Sequence, residues 1–548
     1  MILMDSKSPS YDAIVIGAGF TGMYQLYMLR KMGLSVKGYD LAEDFGGNWY
    51  RNRYPGCRVD TESHVYCYAF SADILQEWSW SEQYASQPEV LRYLNFAVDK
   101  MDIREHYQFN TLIISAKYSD AQNLWFVELG DGSTQSCRFL FSATGPLSIP
   151  QMPSYDGVNS FLGEAYHSYF WPRDEAGSPT GKNIDFTGKR VGVVGTGATG
   201  VQIITEVAKS AGELFVFQRT PNWCAPLGNG PIDTKMMDGI KENYGEIIDF
   251  VKNTQSGMPH TFLDKSALEV SDEEREIILE KLYKEPGYGI WFGNFYDLFT
   301  NKEANILVSK FIEKKIRERV NDQQIADKLI PKNHGFGTKR VPLESGYYEV
   351  FNQNNVHLID IHEDPIVKIL PNGIRTGSRD HELDIIIYAT GFDGITGALD
   401  KIEIVGKNGD SLKEVWADGP STYLGLQVSG FPNFFTLVAA HNGAGFCNIP
   451  ICGQMQVEWI DKMLRHMKQH SLEFVEPSVQ AENEWTEEVY RLMEKTLLGQ
   501  TDSWFMGINS NVAGKNKRRA LVYVGGSVRY RETCEAIERD GYKGFLMR

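Results

Sequence analysis

Two six-residue segments of this 548-residue chain share the spacing GxGxxG: Gly17-Ala18-Gly19-Phe20-Thr21-Gly22 and Gly195-Thr196-Gly197-Ala198-Thr199-Gly200. Glycine supplies 52 of 548 residues, so such a match arises by chance about half a time per chain, and context must decide. The first follows the apolar run Asp12 to Ile16. Met23, Leu26, Tyr27 and Leu29 then recur at helical spacing up to Gly33, and Ser35 to Tyr39 leads into Asp40. The second follows Arg190 to Val194 and precedes a helical stretch, Val201 to Ser210, and a strand, Leu214 to Gln218, closed by Arg219 and Thr220. Strand, glycine turn, helix and strand form the unit that binds a dinucleotide. Gly17 and Gly195 permit the tight turn. Gly19 and Gly197 let backbone approach a pyrophosphate, and Gly22 and Gly200 let the helix pack on its strand. The helix N-terminus faces the phosphates with positive dipole.

The residues closing the second strands separate the two ligands. The Asp40 carboxylate accepts hydrogen bonds from ribose hydroxyls, as FAD or NAD requires. A guanidinium at Arg219 binds a 2′-phosphate bidentately where a carboxylate would repel it. The first site therefore suits FAD and the second NADPH. Two Ala-Thr-Gly turns, Ala143-Thr144-Gly145 and Ala389-Thr390-Gly391, end apolar strands where chains with two dinucleotide sites cross between domains.

The elements that position these motifs imply an α/β fold of two Rossmann-like dinucleotide-binding domains with a helical insertion. The expected boundaries are 1–148 and 382–548 for the FAD-binding domain, 149–224 and 333–381 for the NADP-binding domain, and 225–332 for the insertion. In the insertion, Ser271 with Glu274, Thr300 with Glu303 and Asn321 with Gln324 have N-cap spacing. Asn305 to Val320 is apolar at helical intervals, strands return near 356–360 and 384–390, and helices follow from about 453. The net charge of −16 argues against nucleic acid or an anionic membrane surface as partner. No apolar run reaches the ~18 residues of a membrane span, and Met1 to Ser8 does not read as a signal peptide. The seven cysteines, Cys57, Cys67, Cys137, Cys224, Cys447, Cys452 and Cys534, are scattered and without CxxC spacing. They are expected as reduced thiols of a cytoplasmic protein, with no metal site. Nothing in the chain requires more than a monomer.

The most specific stretch is Phe161-Leu162-Gly163-Glu164-Ala165-Tyr166-His167-Ser168-Tyr169-Phe170-Trp171-Pro172. It reads FxGxxxHxxxWP, which at this chain's own residue frequencies arises by chance in about one chain in twenty thousand. It resembles the fingerprint of Baeyer–Villiger monooxygenases. Further family patterns match in order: GGxWxxxxYPGxxxD at Gly46-Gly47, Trp49, Tyr54-Pro55-Gly56 and Asp60, and KRxPxxxxYYxxxN at Lys339-Arg340, Pro342, Tyr347-Tyr348 and Asn352. Ser503-Trp504-Phe505-Met506-Gly507 resembles an SWxxG loop. The resemblance is closest to the cycloketone branch, the cyclohexanone and trimethylcyclopentenylacetyl-CoA monooxygenases. It draws on Thr220-Pro221-Asn222-Trp223-Cys224, on Gly419 to Leu426, and on the block from Gly430 to His441-Asn442-Gly443.

The resemblance implies oxidation of a ketone, cyclic in that branch, to a lactone or ester with NADPH and O2, through an FAD C4a-peroxyflavin and a tetrahedral adduct. It implies two catalytic residues: Arg340 as the fixed cation beside the peroxide, and Asp60 holding it by a charge-assisted hydrogen bond. Lys339 would reach the 2′-phosphate beside Arg219, and Gly47, Trp49 and Tyr66 would line the flavin. Trp504 would close over NADP⁺ on a loop that also holds Gly514-Lys515-Asn516-Lys517-Arg518-Arg519, whose cations are expected to be solvated. His167 lies on the inter-domain linker, so a structural or hinge role is expected rather than a general base. Arg51 stands where the family often has Trp. Ala439-Ala440 and Ala444-Gly445 flank the HNG turn, and all are expected near the ketone. The rival reading is a related flavin monooxygenase that oxidises amine nitrogen or sulfide sulfur; such enzymes lack Trp171-Pro172 and the Arg340 context. A disulfide reductase would need a CxxxxC beside the flavin, where Cys57 stands alone with Cys67 ten residues on. A cofactor-binding protein without turnover conflicts with the full set of reactive residues.

Overall fold

The computed structural model describes residues 9–443, 447–512 and 514–548; Met1 to Ser8 and the Ala444-Gly445 pair lie outside the described residues. Two sheets organise the chain. The first runs in the order Glu403–Val405, Ile113–Ser119, Leu124–Leu129, Thr134–Ser142, Tyr11–Ile16, Val36–Tyr39 and Tyr107–Gln108, and Phe434–Thr436 also pairs with Thr134–Ser142. Tyr11–Ile16 is parallel to both neighbours, with Ile16 opposite Tyr39 and Ser142. Three strand ends thus meet at the first glycine turn. Ala13, Ile14 and Val15 are fully buried, because helices and strands cover both faces; hence the run is continuously apolar rather than alternating.

The second sheet has five parallel strands, in the order Val356–Asp360, Glu213–Gln218, Arg190–Val194, Ile385–Tyr388 and Glu164–His167. Ile385–Tyr388 belongs here, so the sequence-based return to the first domain at 382 falls one strand early. It pairs in parallel with Arg190–Val194 on one edge and Glu164–His167 on the other, and its three isoleucines are buried, as in a central strand covered on both faces. The two Ala-Thr-Gly turns sit directly behind the glycine loops. A Cβ on Gly17 (φ +110°) would overlap the carbonyl oxygen of Ala143, and one on Gly195 (φ +111°) that of Ala389.

The insertion is helical, with Asp272–Lys284 and Lys302–Arg319 as its longest helices. Ser271 caps the former through the Glu274 N–H. The other two caps stand one residue later than their spacing suggests: Asn301 accepts the Glu303 and Ala304 N–H groups, and Asp322 those of Gln324 and Ile325. The insertion is tied to the second domain at both ends. Ala225–Pro226 pairs with Leu343–Glu344, and Arg319 binds Glu344 at 2.7 Å and Glu349 at 2.6 Å. These ties fix the segment that carries Lys339 and Arg340. The C-terminal helix Ile449–Gln469 packs against Phe20–Lys31, where Gly453 admits the Thr21 side chain. No helix of the described residues is long and apolar enough to cross a membrane.

Candidate active site

One cavity of about 1070 Å³ is lined by both glycine loops. Fourteen of the sixteen site residues named from the sequence line it; Gly22 and Gly200 do not. Those two act behind the wall, since a Cβ on either would overlap the carbonyl oxygen of its own loop's first glycine. The second glycines face space instead. A Cβ on Gly197 would meet nothing within 4 Å, and Gly19 is opposed only by the backbone of Gly47. This is the cradle a pyrophosphate fills, so the residues present fit two dinucleotides.

Asp40 is held in place by backbone: its carboxylate oxygens accept the N–H groups of Ala18 and Ala42, each at 2.7 Å. Burial raises its pKa, while those two donors and the charge of Arg51 pull it back. A carboxylate has about four acceptor positions, so ribose hydroxyls still find partners. Arg51, which the sequence suggested for the ketone end, has Asp40 as a charged neighbour. It lines the cavity beside Asp40 and lies 5.9 Å from the Tyr169 ring centre.

Arg340 donates to Asp60, and the Tyr288 hydroxyl donates to the same carboxylate oxygen at 2.8 Å. Burial opposes the guanidinium charge, yet Asp60 and the surrounding hydroxyls hold its pKa above the ordinary value. Its side chain is 40% exposed, and that exposure faces the cavity. Burial keeps the Tyr288 hydroxyl protonated, so it remains a donor. Tyr288 comes from the insertion, 228 residues from Asp60, and no local signal marked it. Lys339, the neighbour of Arg340, shows the opposite behaviour: burial and the charge of Arg219 lower its pKa, with Asp502 opposing.

Arg219 and Thr220 also line the cavity. Arg219 donates to the Asn511 amide oxygen at 2.7 Å, and Asn511 donates onward to the Thr390 carbonyl at 3.1 Å. Asn509 donates to the Phe392 carbonyl at 2.8 Å. These two asparagines, which the sequence reading passed over, dock the Trp504 loop on the second Ala-Thr-Gly turn. Lys515 departs from its expected solvated state. It is 16% exposed, between Asp393 and Asp400 at 3.2 Å each, and donates to Thr396 at 2.6 Å. Lys517, 69% exposed, fits the solvated reading.

Trp49 donates its indole N–H to the Tyr66 hydroxyl at 3.1 Å, and both line the cavity. His167 is buried and away from it. The Tyr169 N–H donates to its Nδ1 at 3.2 Å, so the proton sits on Nε2, which faces the Gln151 carbonyl and the Thr390 hydroxyl, each at 3.3 Å. Burial lowers its pKa. A neutral His167 thus bridges the outgoing and returning crossovers, which is the structural role expected of it. Two β-branched residues of the wall, Ile395 (φ +67°) and Val438 (φ +50°), hold left-handed backbone, a strained state that concentrates at functional sites. Cys447 and Cys452 are bonded to each other, which overturns the expectation of seven reduced thiols. Their CxxxxC spacing across a helix start brings the Cα atoms to 6.3 Å, within disulfide reach. Among the described residues no cluster of acidic, His or Cys side chains is placed to hold a metal.

Two dinucleotide cradles opening into one cavity, with a carboxylate-held arginine on its wall, define a two-cofactor oxidoreductase. Residues 11–229 match the flavin-binding monooxygenase-like family. The chain is 52% identical to 2-oxo-Δ3-4,5,5-trimethylcyclopentenylacetyl-CoA monooxygenase of Pseudomonas putida, over 98% of this chain and 99% of that one. It is 40% identical to cyclohexanone 1,2-monooxygenase of an Acinetobacter species, over 98% and 97%. A crystal structure of OTEMO in complex with FAD and NADP superposes with a TM-score of 0.95 at 51% identity, covering 99% of this chain and 100% of that one. The chain belongs to the Baeyer–Villiger monooxygenase family.

Two outcomes follow from this geometry. Removing the Tyr288 hydroxyl, in Tyr288→Phe, takes away a bond to a charged acceptor worth about 1.5–3 kcal/mol, so oxygen transfer should fall about tenfold or more while NADPH still reduces the flavin at its normal rate. Transient kinetics separates the two steps, and an equal fall in both would make Tyr288 merely structural. The second concerns pH. A lysine is charged below its pKa, so the lowered Lys339 loses its charge as pH rises through a value under the ordinary 10.5. The KM for NADPH should rise in that window, and Lys339→Arg should flatten the rise.

Proposed function

We propose that this chain is an FAD-containing, NADPH-dependent monooxygenase that converts ketones, cyclic ones above all, to lactones or esters. The observation that carries this reading is the Arg340–Asp60 pair on the wall of a cavity shared by both glycine loops. Bound FAD supplies oxygen activation, and bound NADPH supplies the hydride that primes it. The protein's own residues do the rest. The first glycine loop and Asp40 hold FAD, with Gly47, Trp49 and Tyr66 against the flavin. The second loop, with Arg219, Thr220 and Lys339, holds the phosphate end of NADPH, and Trp504 closes over it.

Arg340 provides a charge that burial does not extinguish. Burial and the charge of Arg219 depress the neighbouring Lys339, whereas a guanidinium keeps its charge when desolvated, which is the physical reason for an arginine at 340. That charge stabilises negative charge on the reacting oxygen and on the adduct, in a site where Trp291, Phe292, Leu437 and Val438 restrict water. Asp60 and Tyr288 orient the guanidinium and leave its remaining N–H groups for the substrate.

The partners of this reading are a small ketone and O2, acting on a monomer, with no nucleic acid or membrane partner. A cytoplasmic location suits an enzyme that draws on NADPH and keeps five thiols unpaired. In one assay, protein loaded with FAD is given NADPH, O2 and a panel of ketones, amines and sulfides. Lactones or esters should form. In Arg340→Ala the flavin should still be reduced by NADPH and ester formation should cease. Turnover of amines or sulfides alone, or an undiminished lactone yield from Arg340→Ala, would refute the assignment.

A further inference from the structure

Cys57, Cys67, Cys137, Cys224 and Cys534 are buried and unpaired. Cys447 and Cys452 are joined across the start of helix Ile449–Gln469, with Cys452 in its first turn, where its N–H donates to the Asn448 carbonyl at 3.0 Å. The two cysteines are 6% and 1% exposed. Cys447 lines the cavity beside Met258 and Ile449, whereas Cys452 stands behind the wall. A reagent reaching this pair comes through the substrate cavity. The pocket around the sulfur is firmly built. Asn448 donates its N–H to the Ser256 carbonyl at 2.8 Å and its amide to the Val65 carbonyl at 2.7 Å. Gly257 (φ +64°) passes so close that a Cβ there would lie 3.1 Å from the Cys447 sulfur. Cys57 lines the same cavity, but burial pushes its thiol up to about 12 and it is unpaired.

We propose that Cys447 and Cys452 form a reversible thiol–disulfide site that scavenges hydrogen peroxide inside the cavity, with Cys447 as the peroxide-reactive thiol and Cys452 as the resolving thiol. The proposal deepens the monooxygenase reading, in which reduced oxygen is handled in this same cavity. The Cys447 thiolate attacks one oxygen of the peroxide; an S–O bond forms, the O–O bond breaks, and hydroxide leaves to take up the thiol's proton as water. Cys452 then attacks the Cys447 sulfur; the S–S bond forms, the S–O bond breaks, and a second water leaves. Two thiols and one peroxide become one disulfide and two waters, with two electrons passing from sulfur to oxygen. A small dithiol restores both thiols by exchange.

The test uses the FAD-loaded enzyme, reduced with dithiothreitol, desalted and treated with one equivalent of hydrogen peroxide, followed by differential alkylation and peptide mapping. Alkylation should be lost together at Cys447 and Cys452, retained at the other five cysteines, and restored by dithiothreitol. In Cys452→Ser, dimedone should trap a sulfenic acid at Cys447; in Cys447→Ser, Cys452 should keep its thiol. Retention of both thiols, oxidation of another cysteine first, or dimedone labelling of Cys452 in place of Cys447 would overturn the proposal. The mapping requires no ketone turnover, so its failure is distinct from failure of the monooxygenase reading.

Discussion

Most of the site depends on keeping one positive charge where burial opposes it. Arg340 faces the cavity with Asp60 bound to it and Tyr288 bound to Asp60. A guanidinium alone would shed solvation with no return, and a carboxylate alone would do the same; together they offset most of that cost and set the direction in which the cation points. Three distant parts of the chain meet there. Asp60 follows the first glycine unit, Tyr288 belongs to the insertion, and Arg340 lies where the chain rejoins the second domain. The insertion's ties to that domain, the Ala225–Leu343 pairing and the Arg319–Glu344 ion pair, thereby acquire a function in holding the arginine.

The two cradles obey a single geometric rule used twice. Each central strand ends in a left-handed glycine, and an alanine carbonyl of an Ala-Thr-Gly turn lies against that glycine. The turns also carry the chain from one domain to the other. Backbone geometry that admits a pyrophosphate is thus tied to the crossovers, and His167 and Asn511 bind those crossovers by hydrogen bonds to Gln151 and Thr390.

What was legible in the sequence was what a local constraint forces. Only glycine fits behind Ala143 and Ala389, and a strand covered on both faces is continuously apolar, as Ile385–Tyr388 is, so motifs and strands could be read directly. The placement of that last strand in the second sheet was not legible, because pairing partners are set by the whole topology. Caps at Asn301 and Asp322 were missed by one residue because neighbouring side chains compete for the same N–H groups. Lys515 was misread as solvated because a long cation reaches partners that spacing does not reveal. Tyr288 left no trace at all, since its contact spans 228 residues. The Cys447–Cys452 pair was not read from the sequence, since its place on the cavity wall is set by the fold.

The central claim is that Asp60 serves the oxygen-transfer step by holding Arg340, and has no part in hydride delivery. Stopped-flow measurement of the Asp60→Asn variant addresses it directly. The account predicts flavin reduction by NADPH at the wild-type rate and lactone formation slowed by about tenfold or more, the loss expected when one partner of a charge-assisted hydrogen bond is neutralised. Lactone formation at the wild-type rate in that variant would contradict it.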